Sequence, residues 1–164
     1  MNEKLQTALD NTESTYKELV EIANSIVKTY ASDINDLITE ATENIDTLSN
    51  EQVRQLLLKI SLKAYSFGDV KEKAALKAQC AKTLKDEAYA IQFNGAEGSV
   101  EAKKNTALTQ SSAEAVAETL YNLVSSLFKT KLDEMHRVVD SLKSVLMSRM
   151  AEQKLMSSFS GSGE

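Results

Sequence analysis

Proline is absent from all 164 residues of this chain, and its five glycines fall at three places only: Gly68, Gly95 with Gly98, and Gly161 with Gly163. Proline removes a backbone donor and clashes with the preceding turn, and glycine is the next most costly residue inside a helix. Their placement leaves long stretches with nothing to interrupt a helix. Within those stretches apolar residues return every three or four positions, and β-branched residues never gather into an alternating run. An all-α protein follows.

The interior must then be filled by Leu, Ile, Val and Ala, because aromatics make up only 5% of the chain and tryptophan is missing. That composition suits three long helices in an elongated antiparallel bundle or coiled coil. At this length one domain is the default. The expected layout is a single helical domain over 1–156, with helices at about 2–48, 50–92 and 111–156 and a flexible tail at 157–164.

In the first stretch Leu5, Leu9, Thr12, Tyr16, Leu19, Ala23, Ile26 and Tyr30 form a heptad seam. It resumes at Ile34, Leu37, Ala41, Ile45 and Leu48 after two successive steps of four. Such a stutter locally unwinds a supercoil, so Ser32-Asp33 is a candidate break. Ser49 with Gln52 matches a capping box that opens the second helix. Its apolar face is read through Leu56, Ile60, Leu62, Ala64 and Tyr65 and continues through Val70, Ala74, Leu76, Cys80, Leu84, Ala88 and Ile91. At Gly68 two readings stand: Asp69 with Glu72 caps a restart, or the helix carries the glycine at a cost of ~1 kcal/mol.

Asn94 to Gly98 is the clearest turn. Residues 99–110 read equally as a short helix or a connector. Ser111 with Glu114 is a second capping box, opening a helix whose apolar positions recur every eleven residues: Ala113, Val124, Met135, Leu146, and Ala117, Phe128, Val139, Met150. Helices this long leave apolar stripes uncovered in one copy, so a homo-oligomer is expected.

Chemistry is sparse. Cys80 and His136 are the only cysteine and histidine, so neither a cysteine cage nor a His-based metal site can be built, and no cofactor is implied. His136 with Asp133 lacks a nucleophile, an oxyanion site and a pocket, which leaves no enzyme to propose. No apolar run approaches the ~20 residues of a membrane span, and the first residues carry no secretory pattern. The expected setting is cytoplasmic, the host cell's cytoplasm for a viral protein.

Charge is the one uneven property. Residues 1–51 hold eleven acids against three bases, a net of −8, whereas residues 52–85 hold eight bases against two acids, a net of +6. Acidic and basic arms attract one another when packed side by side, which is the plain reading. The other reading is a polyanion site. Lys73, Lys77 and Lys85, spaced by four and eight, are read as one face, widened by Lys71, Lys82 and Lys104. Such a row follows a phosphate backbone with salt-dependent, sequence-independent affinity, and Tyr65, Phe67, Tyr89 and Phe93 are candidates for stacking on unpaired bases.

Lys73-Ala74-Ala75-Leu76-Lys77-Ala78, a glycine-bearing turn, Lys103-Lys104-Asn105-Thr106-Ala107-Leu108, and a long helix with Tyr121, Leu132-Asp133 and Leu142-Lys143-Ser144 follow in order. Over roughly residues 70–150 this resembles the UvsY-type recombination mediators of tailed phages. The resemblance implies a small helical protein that assembles into rings, binds single-stranded DNA and loads a recombinase onto strands coated by a single-strand-binding protein. Lys77 falls on a DNA-engaging lysine of that family, and Gln79 stands where the family has an arginine. Two further expectations compete with this one. The first is a protein-interaction module, such as a phage scaffold or an inhibitor of a host factor, working through its acidic first helix. The second is a purely structural coiled coil.

Overall fold

A computed structural model describes the backbone of residues 3–160 and the side chains of residues 11–158. Every regular element among them is helical: α1 (Glu3–Glu43), α2 (Asn50–Gly95), α3 (Val100–Gln110) and α4 (Ser112–Ser160). Four helices stand where three long ones are expected, because the segment after the glycine turn is itself a helix. The expected start at Asn2 lies outside the described residues, as do the side chains of Leu5 and Leu9.

The capping box at the start of α2 forms in both directions. The Ser49 N–H donates to Gln52 Oε1 at 2.8 Å, and the Gln52 N–H donates to Ser49 Oγ at 3.3 Å. Helix α2 ends at Gly95, and Gly98 takes φ 105°, a left-handed conformation that costs glycine least. Ser99 then caps α3, its hydroxyl oxygen accepting from the Ala102 N–H. The second proposed box takes another form: the Ser111 hydroxyl points back to the Leu108 carbonyl at 3.5 Å, and buried Ser111 marks the α3–α4 junction.

Two boundaries differ from expectation, and the open question at Ser32-Asp33 is answered. Helix α1 stops at Glu43, five residues early, where Thr47 and Leu48 N–H groups turn back onto the Asn44 carbonyl. Ser32-Asp33 does not break it. At the other end α4 runs through Ser160, where a tail from 157 is expected. The Ser157 and Ser158 hydroxyls donate to the Lys154 and Leu155 carbonyls at 2.8 and 2.7 Å, which lets serine sit inside a helix.

The chain divides into two compact units: Met1–Thr29 with Asp69–Phe128, and Tyr30–Gly68 with Lys129–Glu164. In the first, Leu19 and Ala23 of α1, Ala74, Ala78 and Ala81 of α2, Ala107 of α3, and Val124 and Phe128 of α4 are buried. In the second, Ala31, Ile34, Ile38 and Ala41 of α1 are buried. So are Val53, Leu56, Ile60, Ala64 and Phe67 of α2, and Met135, Val139 and Leu142 of α4. Burying a large aliphatic side chain contributes about 1.5–3 kcal/mol, so the second unit's Ile- and Leu-rich set carries much of its stability. Tyr30, placed in the seam by its spacing, is 53% exposed; Ala31 turns inward instead, because Ala31, Ile34, Ile38 and Ala41 repeat by three and four.

Gly68 sits inside α2 with no atom within 4 Å of a Cβ built on it and with no positive φ. The helix therefore carries the glycine without needing it. Gly68→Ala is expected to raise stability by about 0.5–1 kcal/mol, read as a higher urea midpoint at unchanged slope. A loss of stability would mean that this position requires the glycine.

Candidate nucleic-acid interface

The basic residues of α2 and α3 are set around their helices rather than along one line. At about 100° per residue, with Ala74, Ala78 and Ala81 marking the inward side, Lys73 and Lys77 lie on one flank. Lys71 and Lys82 lie on the other, with Lys73 and Lys82 about 180° apart. Lys85 falls in line with the buried alanines. The expected common face of Lys73, Lys77 and Lys85 is not formed, because a spacing of twelve residues drifts by about 120° around an α-helix.

Burial and pairing separate these lysines further. Lys85 is half-buried and bound to Glu118 of α4 at 2.5 Å; that hydrogen bond holds its ammonium pKa above the usual lysine value, against the opposing effect of burial. Lys71 pairs with its neighbour Glu72 at 2.9 Å. Lys73, Lys77, Lys82 and Lys104 are exposed and have no carboxylate within 4.0 Å among the described residues. Lys77 reaches over the Tyr121 ring, its Nζ 5.2 Å from the centroid, a cation–π contact that leaves the ammonium open to solvent. Lys104 belongs to α3. The accessible basic site therefore reduces to Lys73 and Lys77 on one flank of α2, with Lys82 and Lys104 elsewhere.

The candidate stacking residues also divide. Phe67 is buried at 3% exposure and belongs to the second unit's interior. Tyr89 and Phe93, half-buried, stack on each other with centroids 6.1 Å apart and planes 15° apart. Tyr65, in the second unit, is 79% exposed. Attraction between the acidic and basic arms is realised at one place in that unit, where Lys63 Nζ meets Asp33 Oδ2 at 3.2 Å. This hydrogen bond and the lysine's charge hold the Asp33 carboxyl below its ordinary value, helped by the Ser32 hydroxyl.

Sequence reasoning places Leu76, Cys80, Leu84 and Ile91 on the buried side of α2, and the structure reverses this. Alanines face inward, while Leu76, Leu84 and Ile91 are 64%, 57% and 68% exposed and Cys80 is exposed. The available signal was the Ala74, Ala78, Ala81 spacing of four and three, overlooked beside the larger side chains.

A groove in the first unit is lined by Asn11, Thr12, Thr15, Tyr16, Leu19, Ala115, Val116 and Thr119, with no carboxylate, imidazole or thiol in the lining. Among the described residues no cluster of three His, Cys, Asp or Glu side chains is placed to hold a metal ion, and no helix is long and apolar enough to cross a membrane. Comparison with protein families, curated proteins and solved structures finds no match to this chain.

Proposed function

We propose that this chain is a single-stranded nucleic-acid-binding accessory protein of phage recombination or replication, acting as an oligomeric mediator in the host cytoplasm. In this reading it is no enzyme and needs no cofactor or membrane. Its partners are copies of itself, single-stranded DNA, and a recombinase or single-strand-binding protein. The long helices run antiparallel in an elongated bundle, so that several copies align their basic flanks along one strand. The observation that carries the proposal is the pair Lys73 and Lys77: exposed, one helical turn apart, and unpaired with carboxylate among the described residues. Two cations per copy bind a phosphate backbone weakly, and repetition of copies supplies the avidity. The resemblance of residues 70–150 to the UvsY-type mediators points the same way.

Fluorescence anisotropy with an oligothymidine at several salt concentrations tests this. Affinity should fall steeply with salt, and Lys73→Glu with Lys77→Glu should weaken binding roughly tenfold or more. The same double variant should flatten the log–log salt slope by about 1.4, or ~0.7 per lost phosphate contact. Unchanged affinity in the double variant removes Lys73 and Lys77 from the site. No binding even at low salt removes the nucleic-acid reading.

The protein-interaction reading rests on a separate observation. Glu18 and Glu21 in the first unit, and Asp36, Glu40 and Glu43 in the second, are exposed on α1 without a cation within 4.0 Å among the described residues. A basic partner surface fits such carboxylates. Charge reversal on α1 that abolishes partner capture while leaving DNA affinity intact would favour it.

A further inference from the structure

In the first unit α2 carries two apolar faces. One is the alanine face already turned inward; the other is the outward line of Leu76, Cys80, Leu84 and Ile91. Three large aliphatic side chains more than half exposed on one helix face are unusual unless something covers them.

The sequence around this line has a twofold pattern centred on Cys80. Leucine stands four residues before it and four after, at Leu76 and Leu84. Seven residues before it is Lys73 and seven after is Glu87, both exposed and both without an ion-pair partner among the described residues. A helix pairing antiparallel with its own copy about an axis at Cys80 sets each residue against the one equally far on the other side. Leu76 then meets Leu84 of the second copy, and Lys73 meets Glu87, each contact occurring twice as an isologous interface requires. A parallel pairing in register sets Lys73 against Lys73 and Glu87 against Glu87. Opposite charges favour the antiparallel arrangement and like charges oppose the parallel one.

We infer that the outward face of α2 in the first unit is a self-association surface, and that its occupant is the same face of a second copy, packed antiparallel about a twofold axis at Cys80. Neither the apolar line nor the charge match depends on the nucleic-acid reading. One consequence does rest on it. A twofold axis perpendicular to both helices keeps corresponding flanks on the same side, so Lys77 of each copy falls on one edge of the pair. The two positions are offset by six residues, about 9 Å along the helix direction. The pair thereby presents both Lys77 ammoniums to a phosphate backbone along one edge, while each Lys73 is engaged by Glu87 of the other copy.

Sedimentation velocity without nucleic acid tests the pairing. The wild type is expected to sediment as a dimer or an even multiple of it, and Leu76→Glu with Leu84→Glu as a monomer. Both leucines are exposed in the single copy, so unchanged circular dichroism should accompany the shift. Lys73→Glu should raise the dissociation constant about tenfold or more by facing Glu87 with a like charge, and Lys73→Glu with Glu87→Lys should restore it. Oxidation by copper(II)–phenanthroline, which takes two electrons from two thiols, should join wild-type copies through Cys80 into a covalent dimer and leave the double-glutamate variant uncrosslinked. A wild type that stays monomeric at high concentration overturns the inference, as does association indifferent to the leucine substitutions or a charge swap that fails to restore it. A monomer that still binds oligothymidine ends the pairing alone. A dimer that never binds it ends the nucleic-acid reading alone.

Discussion

Phe128→Ala is expected to lower stability by about 3–5 kcal/mol, the largest effect of any single substitution considered for this protein. Phe128 is 1% exposed, in the stretch of α4 that also buries Val124 at 2%. Aromatic side chains are few in this chain, and most of the first unit's other buried positions are alanine. An alanine-lined wall holds its backbones close and has little side-chain length with which to collapse into a void. The lost transfer free energy and the cavity therefore add, with little relaxation to offset them. Against a typical total stability of about 5–15 kcal/mol, that loss is a large fraction of the whole. Urea denaturation followed by circular dichroism reads the effect. Phe128→Leu, which keeps most of the volume, should cost less than half as much. A Phe128→Ala midpoint close to the wild type's would mean that the ring is not sealed in this interior.

The second large effect belongs to a polar residue. Arg149 on α4 donates to the carbonyl oxygens of Ile45 and Leu48, each at 2.6 Å, and one of its nitrogens lies 3.5 Å from Asn50 Oδ1. Those carbonyls belong to the turn between α1 and α2. Helix α1 ends there with no basic residue in its own last turn to satisfy the terminal acceptors. A planar guanidinium fits two carbonyls at once in a way that an ammonium does not. Arg149→Met keeps the apolar stem, removes both charge-assisted bonds and leaves part-buried carbonyls unpaired. The expected loss is about 2–4 kcal/mol, with Arg149→Lys intermediate. Hydrogen exchange at residues 44–50 should quicken in the methionine variant, and the urea midpoint should fall with it. Exchange and midpoint both unchanged would show that the turn holds itself.

Much of the fold was legible because it is local. Missing proline, three- and four-residue apolar returns, the Ser49–Gln52 box and the glycine at residue 98 all act through neighbours in sequence, and each has its expected structural consequence. The C-terminal serines misled for an equally local reason: their composition reads as linker, while their hydroxyls bond back into α4. The candidate site was legible only as composition. An excess of lysine in residues 52–85 is visible in the chain, but Lys85 was assigned to an open face by its spacing and instead lies inward against Glu118, 33 residues away. Lys73 and Lys77 stay exposed on their flank of α2.

The sequence by itself determined that this chain is helical and where α2 and α4 start, since capping and backbone propensity depend on residues within a turn or two. It also wrote two apolar faces onto α2, one of alanines and one of leucines with Cys80 and Ile91. Only the tertiary structure decided which face went inside. Hydrophobicity ranks the leucines first, but the first unit buries the alanines Ala74, Ala78 and Ala81. That choice, made by packing geometry between segments far apart in the chain, left the larger side chains on the outer surface, with Lys73, Lys77 and Lys82 exposed and without a carboxylate partner among the described residues.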